Sequence, residues 1–153
     1  MQVYKAPTEQ YQKLLKVFDI HDNDYDEATL IAVMENAAKF VEQELCKTNE
    51  EGDNEGCSLD QTTHKVTLPK SFHNAYQQYV EQGWAAVGGN KVYGGAQMPL
   101  VSVLAIAEFM SASNVAFSLG PMLTPAACQA IDFAGTKAQK DRYLAKLIAG
   151  TWS

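Results

Sequence analysis

The sequence has no long hydrophobic run, no cluster of basic residues and no regular cysteine pattern. No stretch approaches the ~18 uninterrupted apolar residues of a membrane-spanning helix. The opening segment, MQVYKAPTEQYQK, lacks the apolar core of a signal peptide. The three cysteines, Cys46, Cys57 and Cys128, are irregularly spaced and give no disulfide framework. These absences favour a reducing compartment, the cytoplasm by default, and Cys128, in an apolar helical run, is expected to be buried.

Positive charge is also scarce. Lysine and arginine together number 12 against 18 acidic residues, which gives a formal net charge of −6. A nucleic-acid-binding protein is expected to carry a basic stripe, and this chain has no such run. The charge pattern therefore disfavours nucleic acid as a partner.

The histidines, cysteines, acidic residues and paired glycines do not match the spacing of the metal-binding or phosphate-binding motifs considered below. No histidine has a second ligand three or four residues away on a predicted helix, and Cys57, His64 and His73 are too loosely spaced for a zinc knuckle. The acidic stretch 50–55 lacks the spacing of a calcium-binding loop. Gly88-Gly89 and Gly94-Gly95 lack the Lys-Ser/Thr of a phosphate loop. Glu108, inside an apolar helix, is either a functional acid or, the reading we favour, a paired structural residue.

Hydrophobic periodicity predicts helices at the amino-terminal end of the chain. A short helix follows Pro7, with Tyr11, Leu14, Leu15 and Phe18 on one face, and is expected to end between Asp19 and Asn23. A second helix of about 20 residues begins after Asp24 or Asp26, either of which suits the capping position. Its apolar face comprises Leu30, Val33, Met34, Ala37, Phe40, Val41 and Leu45.

The middle and the end of the chain add more helices. Residues 48–63 are polar, acidic and glycine-containing, and we expect an acidic surface loop there, followed by a short extended stretch over 64–68. A helix is predicted over 70–82, stopped by Gly83, and a glycine-rich loop follows it. Beyond Pro99, turn residues divide an apolar region into about three helices, and a last helix covers 137–149. The sequence predicts one all-α domain over 1–153, with six or seven helices.

Two blocks of this sequence resemble the amino-terminal domain of acyl-CoA dehydrogenases. The first block has a Gly-Trp pair, a loop with a Gly-Gly pair, a proline, and a helix with an acidic residue: Gly83-Trp84, Tyr93-Gly94-Gly95, Pro99 and Glu108-Phe109. The second block resembles the family's "G-t-x-x-Q-k-x-x-Y-L-p-x-l-x-x-G" segment. It consists of Phe133-Ala134-Gly135-Thr136, Gln139-Lys140, Tyr143-Leu144 and Gly150. Ala145 stands where proline is common in the family. The opening Tyr4, Ala6 and Pro7 resemble the branch that acts on 3-methylmercaptopropionyl-CoA or long acyl-CoAs.

The resemblance implies a flavin-dependent oxidoreductase whose other parts are missing from this sequence. Family members continue into a middle β domain and a carboxy-terminal helical domain, which hold FAD and supply a glutamate base. The flavin-contacting Thr-Glu-Pro and Gly-Ser-Asp motif would begin just after Thr151-Trp152-Ser153. We therefore expect no catalytic or FAD-binding residue here, and no activity from this segment alone. The implied partners are an acyl-CoA substrate and the missing domains, in an enzyme expected to be a homo-oligomer when intact.

The resemblance also implies a substrate role for part of this segment. Helices after the acidic helix line the acyl-chain pocket in the family, which points to Ser118, Leu119, Met122, Leu123 and Ala126. Because the chain is acidic, contact with the acyl end is expected rather than with the CoA phosphates. A plain core role for these residues stays open, since core and pocket walls have the same apolar composition.

Two other functions remain as alternatives. A free-standing helical module would bind partner proteins through its apolar helix face. A helical-bundle metalloprotein is disfavoured, because the Glu-x-x-His motifs of that class are missing. The abrupt end at Gly-Thr-Trp-Ser favours the dehydrogenase segment over the complete module.

Overall fold

The structure, a computed structural model, describes residues 4–17 and 24–152, and these fold as an all-α domain with one very small hairpin. The all-α prediction is confirmed. No helix within these two ranges has the length and apolarity to cross a bilayer. The elements are α1 Thr8–Val17, α2 Glu27–Phe40, α3 Lys47–Glu55, β1 Ser58–Leu59, β2 Val66–Thr67, α4 Lys70–Glu81, α5 Leu100–Ser113, α6 Val115–Ser118, α7 Leu123–Ala134 and α8 Lys137–Ile148.

Helix α1 follows Pro7, as predicted, and rests on α5. The Tyr11 hydroxyl donates a hydrogen bond to Glu108, and its ring meets Phe109 edge-on with centroids 5.5 Å apart. Burial and the Glu108 carboxylate raise the pKa of Tyr11 to about 12. The predicted positions of Phe18 and of the helix end between Asp19 and Asn23 lie outside the described residues.

Helix α2 continues into a π-helical segment, Val41–Leu45, and together they match the predicted 20-residue helix. Asp26 is the cap, because its carboxylate accepts a hydrogen bond from the Thr29 amide at 2.8 Å. In the π-helical segment the Cys46 amide bonds the Val41 carbonyl, five residues back, at 2.9 Å. Val41 and Leu45, at the two ends of this segment, are both fully buried in the core.

The predicted loop over 48–63 is wrong in its first half, where α3 occupies Lys47–Glu55. Thr48 and Gly52 lie one turn apart and are buried, while the acidic side chains face solvent. Gly52 lies so close to the Phe72 ring that a Cβ there would be 2.5 Å from a ring carbon. This helix has no apolar stripe, because its buried face is built from threonine and glycine. Residues 56–63 are mostly exposed and contain β1, which pairs antiparallel with β2.

The helices beyond residue 70 follow the predicted boundaries closely. Helix α4 is stopped at Gly83, whose φ of 82° is the left-handed conformation that glycine adopts freely. Helix α8 begins with a capping box, in which Thr136 and Gln139 bond each other's backbone amides. Helix α5 buries one face in the main core and leaves Leu100 and Leu104 exposed.

A buried polar network joins α5 and α6 to the π-helical segment. The Asn114 amide nitrogen donates to the Thr48 hydroxyl at 2.8 Å, which donates to the Leu45 carbonyl at 2.7 Å. The Asn114 side-chain oxygen caps α6 by accepting from the Phe117 amide at 3.0 Å. Ser113 adds a bond from its hydroxyl to the Val41 carbonyl at 2.9 Å.

Replacing Asn114 with alanine is expected to destabilise the fold strongly. Asn114→Ala removes a helix cap, which contributes about 1 kcal/mol, and a buried hydrogen bond, whose loss costs about 1–3 kcal/mol. We expect a loss of about 2–4 kcal/mol in the free energy of unfolding, measured by urea denaturation followed by circular dichroism.

Ser102→Ala is the matched control, since Ser102 is a buried polar residue on α5 whose hydroxyl has no hydrogen-bond partner among the described residues. Removing an unpaired hydroxyl is expected to change stability by less than about 0.5 kcal/mol, or to increase it. Equal losses from the two variants would contradict the role assigned to the Asn114 network.

Candidate functional site

A cavity of about 250 Å³ lies between α5, α7, α8 and the glycine-rich loop 83–98. Its wall is largely apolar, and no lysine or arginine is among the residues that line it. The lining side chains and backbone come from Tyr79, Trp84, Ala85, Val87, Gly88, Gly89, Asn90, Val103, Ile106, Ala107, Met110, Ser111, Ser118, Pro121, Met122, Thr124, Pro125, Cys128, Gln129, Asp132, Leu144 and Ile148. Such a wall suits an apolar ligand.

The cavity runs lengthwise between α5 and α7. On α7 the lining residues Thr124, Cys128 and Asp132 are spaced by four, so they share one face over about 12 Å at 1.5 Å per residue. On α5 the lining residues run from Val103 to Ser111, an equal length. The cavity is therefore elongated along these two helices, and we call it the slot.

Close backbone packing in the glycine loop forms one wall of the slot. The Ala96 amide bonds the Ala86 carbonyl at 2.9 Å, and the Gln97 amide bonds the Gly89 carbonyl at 2.8 Å. A Cβ on Gly95 would lie 2.0 Å from the Gly89 carbonyl carbon and oxygen. Gly89 and Gly95 therefore allow two parts of the backbone to cross in close contact.

One end of the slot is polar. The Asn90 amide nitrogen donates to Asp132 at 2.9 Å, and the Lys140 ammonium lies 3.5 Å from the other oxygen of the same carboxylate. Asn90 is itself held by its side-chain oxygen, which accepts from the Val92 amide at 2.8 Å. These contacts connect the glycine loop to α7 and α8 across the end of the cavity.

The opposite end is apolar and open. Met122 lies there and is 53% exposed, and the neighbouring Leu119 and Leu123 are 56% and 68% exposed. Ser118 lines the same end and is buried, with its hydroxyl donating to the Asn114 carbonyl at 2.9 Å. An apolar surface of this kind favours contact with another apolar group.

The thiol of Cys128 and the hydroxyl of Tyr79, both in the cavity wall, stay neutral near pH 7. Burial, and then the Asp132 carboxylate, raise the pKa of the Cys128 thiol, so the reactive thiolate is disfavoured. Burial also raises the pKa of Tyr79. Cys128 is buried, as the sequence predicted, and behaves as a small apolar wall residue.

The structure brings together two of the five residues predicted to line an acyl pocket. Ser118 and Met122 line the slot, whereas Leu119, Leu123 and Ala126 lie exposed beside its open end. The sequence reasoning missed the wall residues Trp84, Asn90, Cys128 and Asp132. The spacing of Cys128 and Asp132 on one helix face was a usable signal, but the contribution of the glycine loop was not visible from sequence.

Glu108 takes the structural role that the sequence reading favoured. It accepts a hydrogen bond from Tyr11 on the surface and is not among the residues that line the slot. This hydrogen bond between the Tyr11 hydroxyl and the Glu108 carboxylate connects α1 to α5.

Comparison with known proteins identifies relatives over most of the chain. The family described as "Acyl-CoA dehydrogenase, N-terminal domain" matches residues 27–151. The chain is 34% identical over 122 residues to 3-methylmercaptopropionyl-CoA dehydrogenase of Ruegeria pomeroyi, which covers 80% of this chain and 20% of that protein. It is 29% identical over 135 residues to butyryl-CoA dehydrogenase of Syntrophomonas wolfei, which covers 88% of this chain and 22% of the relative.

A third relative is the broad-specificity linear acyl-CoA dehydrogenase FadE5 of Mycobacterium tuberculosis, 31% identical over 94 residues, or 61% of this chain and 15% of that protein. The chain therefore spans about a fifth of the length of the curated relatives that it matches.

Gly95→Ala is expected to disrupt the glycine loop, because its methyl group would collide with backbone atoms that have no room to move. We expect a loss of about 3 kcal/mol in the free energy of unfolding, the upper range for overpacking. Gly88→Ala is the control, since a Cβ there meets only the Val103 side chain at an ordinary 3.4 Å, and it should cost about 1 kcal/mol at most. Thermal unfolding of both variants checks this, and equal losses would contradict the close crossing.

Proposed function

The chain belongs to the acyl-CoA dehydrogenase family, and we propose that it forms part of the acyl-chain pocket of a flavin-dependent dehydrogenase. The intact enzyme would introduce a double bond between the α and β carbons of an acyl-CoA thioester. The observation that carries this proposal is the apolar slot between α5 and α7, whose open end lies among Met122, Leu119 and Leu123.

The composition of the slot supports an acyl chain as its ligand. Each buried CH₂ group contributes about 0.8 kcal/mol, so an apolar slot gains affinity from a fatty chain without any specific polar contact. Phosphate groups bind through cationic or N–H donors, and none of the described residues that line the slot is a lysine or an arginine. The acyl end of the thioester therefore fits this chain, and the CoA phosphates would bind elsewhere.

FAD does not fit the slot. A cavity of about 250 Å³ with an apolar wall and a carboxylate at one end lacks the volume and the donors for a dinucleotide. When bound in the intact enzyme, FAD supplies the acceptor for the electrons that leave the substrate. We assign its site to parts of the enzyme beyond this chain, and we propose that the chain alone has no dehydrogenase activity.

Acyl thioesters without phosphates are expected to bind the chain, with Trp84 as the reporter. Trp84 lines the slot and Trp152 does not, so Trp152→Phe leaves a single tryptophan in the cavity wall. Titration with acyl N-acetylcysteamine thioesters should change its fluorescence. Each added CH₂ should lower the Kd about fourfold, the equivalent of about 0.8 kcal/mol, until the slot is filled.

The control for this titration compares two exposed apolar residues. Met122→Arg places a charge at the open end of the slot and should weaken binding at least tenfold. Val92→Arg places the same charge on an exposed position that does not line the slot and should leave binding unchanged. Absence of thioester binding, or equal effects of the two substitutions, would contradict the pocket assignment.

Dehydrogenase activity should require the rest of the enzyme. The chain supplied with FAD, butyryl-CoA or octanoyl-CoA, and a ferrocenium electron acceptor should give no turnover. Extension of the reading frame beyond the Ser153 codon is expected to reveal the remaining domains, and the longer product should bind flavin and absorb in the visible range. Turnover by the chain alone would refute the proposed inactivity, and a stop codon directly after Ser153 would favour a free-standing interaction module instead.

A further inference from the structure

We propose that Asp132, held by Asn90, is a polar end wall that limits the length of the acyl chain and prefers a chain ending in a hydroxyl group. This inference rests on the proposed function, because it takes the slot as the acyl-chain site. It goes further by naming the residue that sets specificity and the class of acyl group selected.

The direction in which a chain would lie in the slot follows from the character of its two ends. Met122 marks the open apolar end, and Leu119 and Leu123 extend that surface outside. A thioester headgroup with its long polar carrier has room only outside the slot, so it would remain at this end. The far tip of the acyl chain would then point along α7 towards Asp132.

The opposite end is closed by contacts between three elements. Gly88 of the glycine loop packs on Val103 of α5, which places the loop beside the start of that helix. Two residues later Asn90 donates to Asp132 on α7, and Lys140 of α8 lies at 3.5 Å from the same carboxylate. Asp132 lines the slot and its side chain is 33% exposed, so it lies between the slot and solvent, and Lys140 pairs with it from outside the lining residues.

The length of the slot sets the expected limit on the length of the acyl chain. Thr124 and Asp132 are separated by about 12 Å along α7. An extended chain covers ~3.3–3.6 Å for every three single bonds, so the slot holds roughly ten bonds of acyl chain. A longer apolar chain would have to break the Asn90 contact and displace water from a carboxylate, which is unfavourable.

The chemistry of the end wall decides which chain ends it accepts. Asp132 is an acceptor with two oxygens, and a carboxylate oxygen can accept more than one hydrogen bond. A terminal hydroxyl that reaches it can donate a charge-assisted hydrogen bond, whereas a terminal methyl group of the same length only desolvates the carboxylate. A hydroxyl-terminated chain of full length should therefore bind roughly tenfold more tightly than the corresponding methyl-terminated chain.

The test uses the Trp152→Phe chain and acyl N-acetylcysteamine thioesters from four to sixteen carbons, with and without a terminal hydroxyl. We expect the gain in affinity to stop near the chain length that fills the slot. Asp132→Ala should move that limit to chains at least two carbons longer and abolish the preference for the hydroxyl group. Asp132→Asn, which keeps the volume and an acceptor oxygen, should retain the original length limit.

Asp141→Ala is the matched control, because Asp141 is a carboxylate on α8 that pairs with Lys137 and does not line the slot. It should leave the length limit and the hydroxyl preference unchanged, and circular dichroism should report the same helix content for all variants. Binding by Asp132→Ala with an unchanged length limit would overturn the end wall and leave the acyl pocket standing. Absence of binding by every thioester would overturn both proposals.

Discussion

The buried side chain of Asn114 is the contact on which the arrangement of the helices depends. It donates to Thr48 at the start of α3 and caps α6 through the Phe117 amide, while its carbonyl receives the Ser118 hydroxyl. An amide buried in an apolar core is stable only when its donors and acceptors are bonded. The bonds therefore fix the corner between α5 and α6 against the π-helical segment, and that corner carries Ser118 to the open end of the slot.

The slot itself depends on a second constraint, the close crossing of the glycine loop. Gly89 and Gly95 approach so closely that no Cβ fits at Gly95, and Gly89 also packs on Ile148 of α8. The loop is thereby held as a wall facing α5 and α7, instead of filling the space between them. The apolar volume that remains is bounded by α5, α7, α8 and the glycine loop, which gives a preformed site for an extended apolar chain.

Most of the helical architecture was predictable, and the exceptions have physical causes. The apolar stripe of α2, its candidate caps Asp24 and Asp26, and the stop at Gly83 predicted helices whose bounds the structure confirms. Helix α3 was missed because its buried face is Thr48 and Gly52, and a helix held by a hydroxyl and a close glycine contact has no hydrophobic period. For the site, resemblance predicted Ser118 and Met122, but not the glycine-loop residues that complete the wall.

The sequence by itself determined the helical class and most helix boundaries, because these depend on local periodicity, capping and turn residues. It also determined the family, because the residues that the family shares are read directly from the chain. The tertiary structure decided where the slot lies and what closes it. Asn90 and Asp132 are 42 residues apart in the chain, and their hydrogen bond exists only because the glycine loop folds back on α7. Contacts of that kind depend on the packing of whole elements, so no pattern in the neighbouring sequence specifies them.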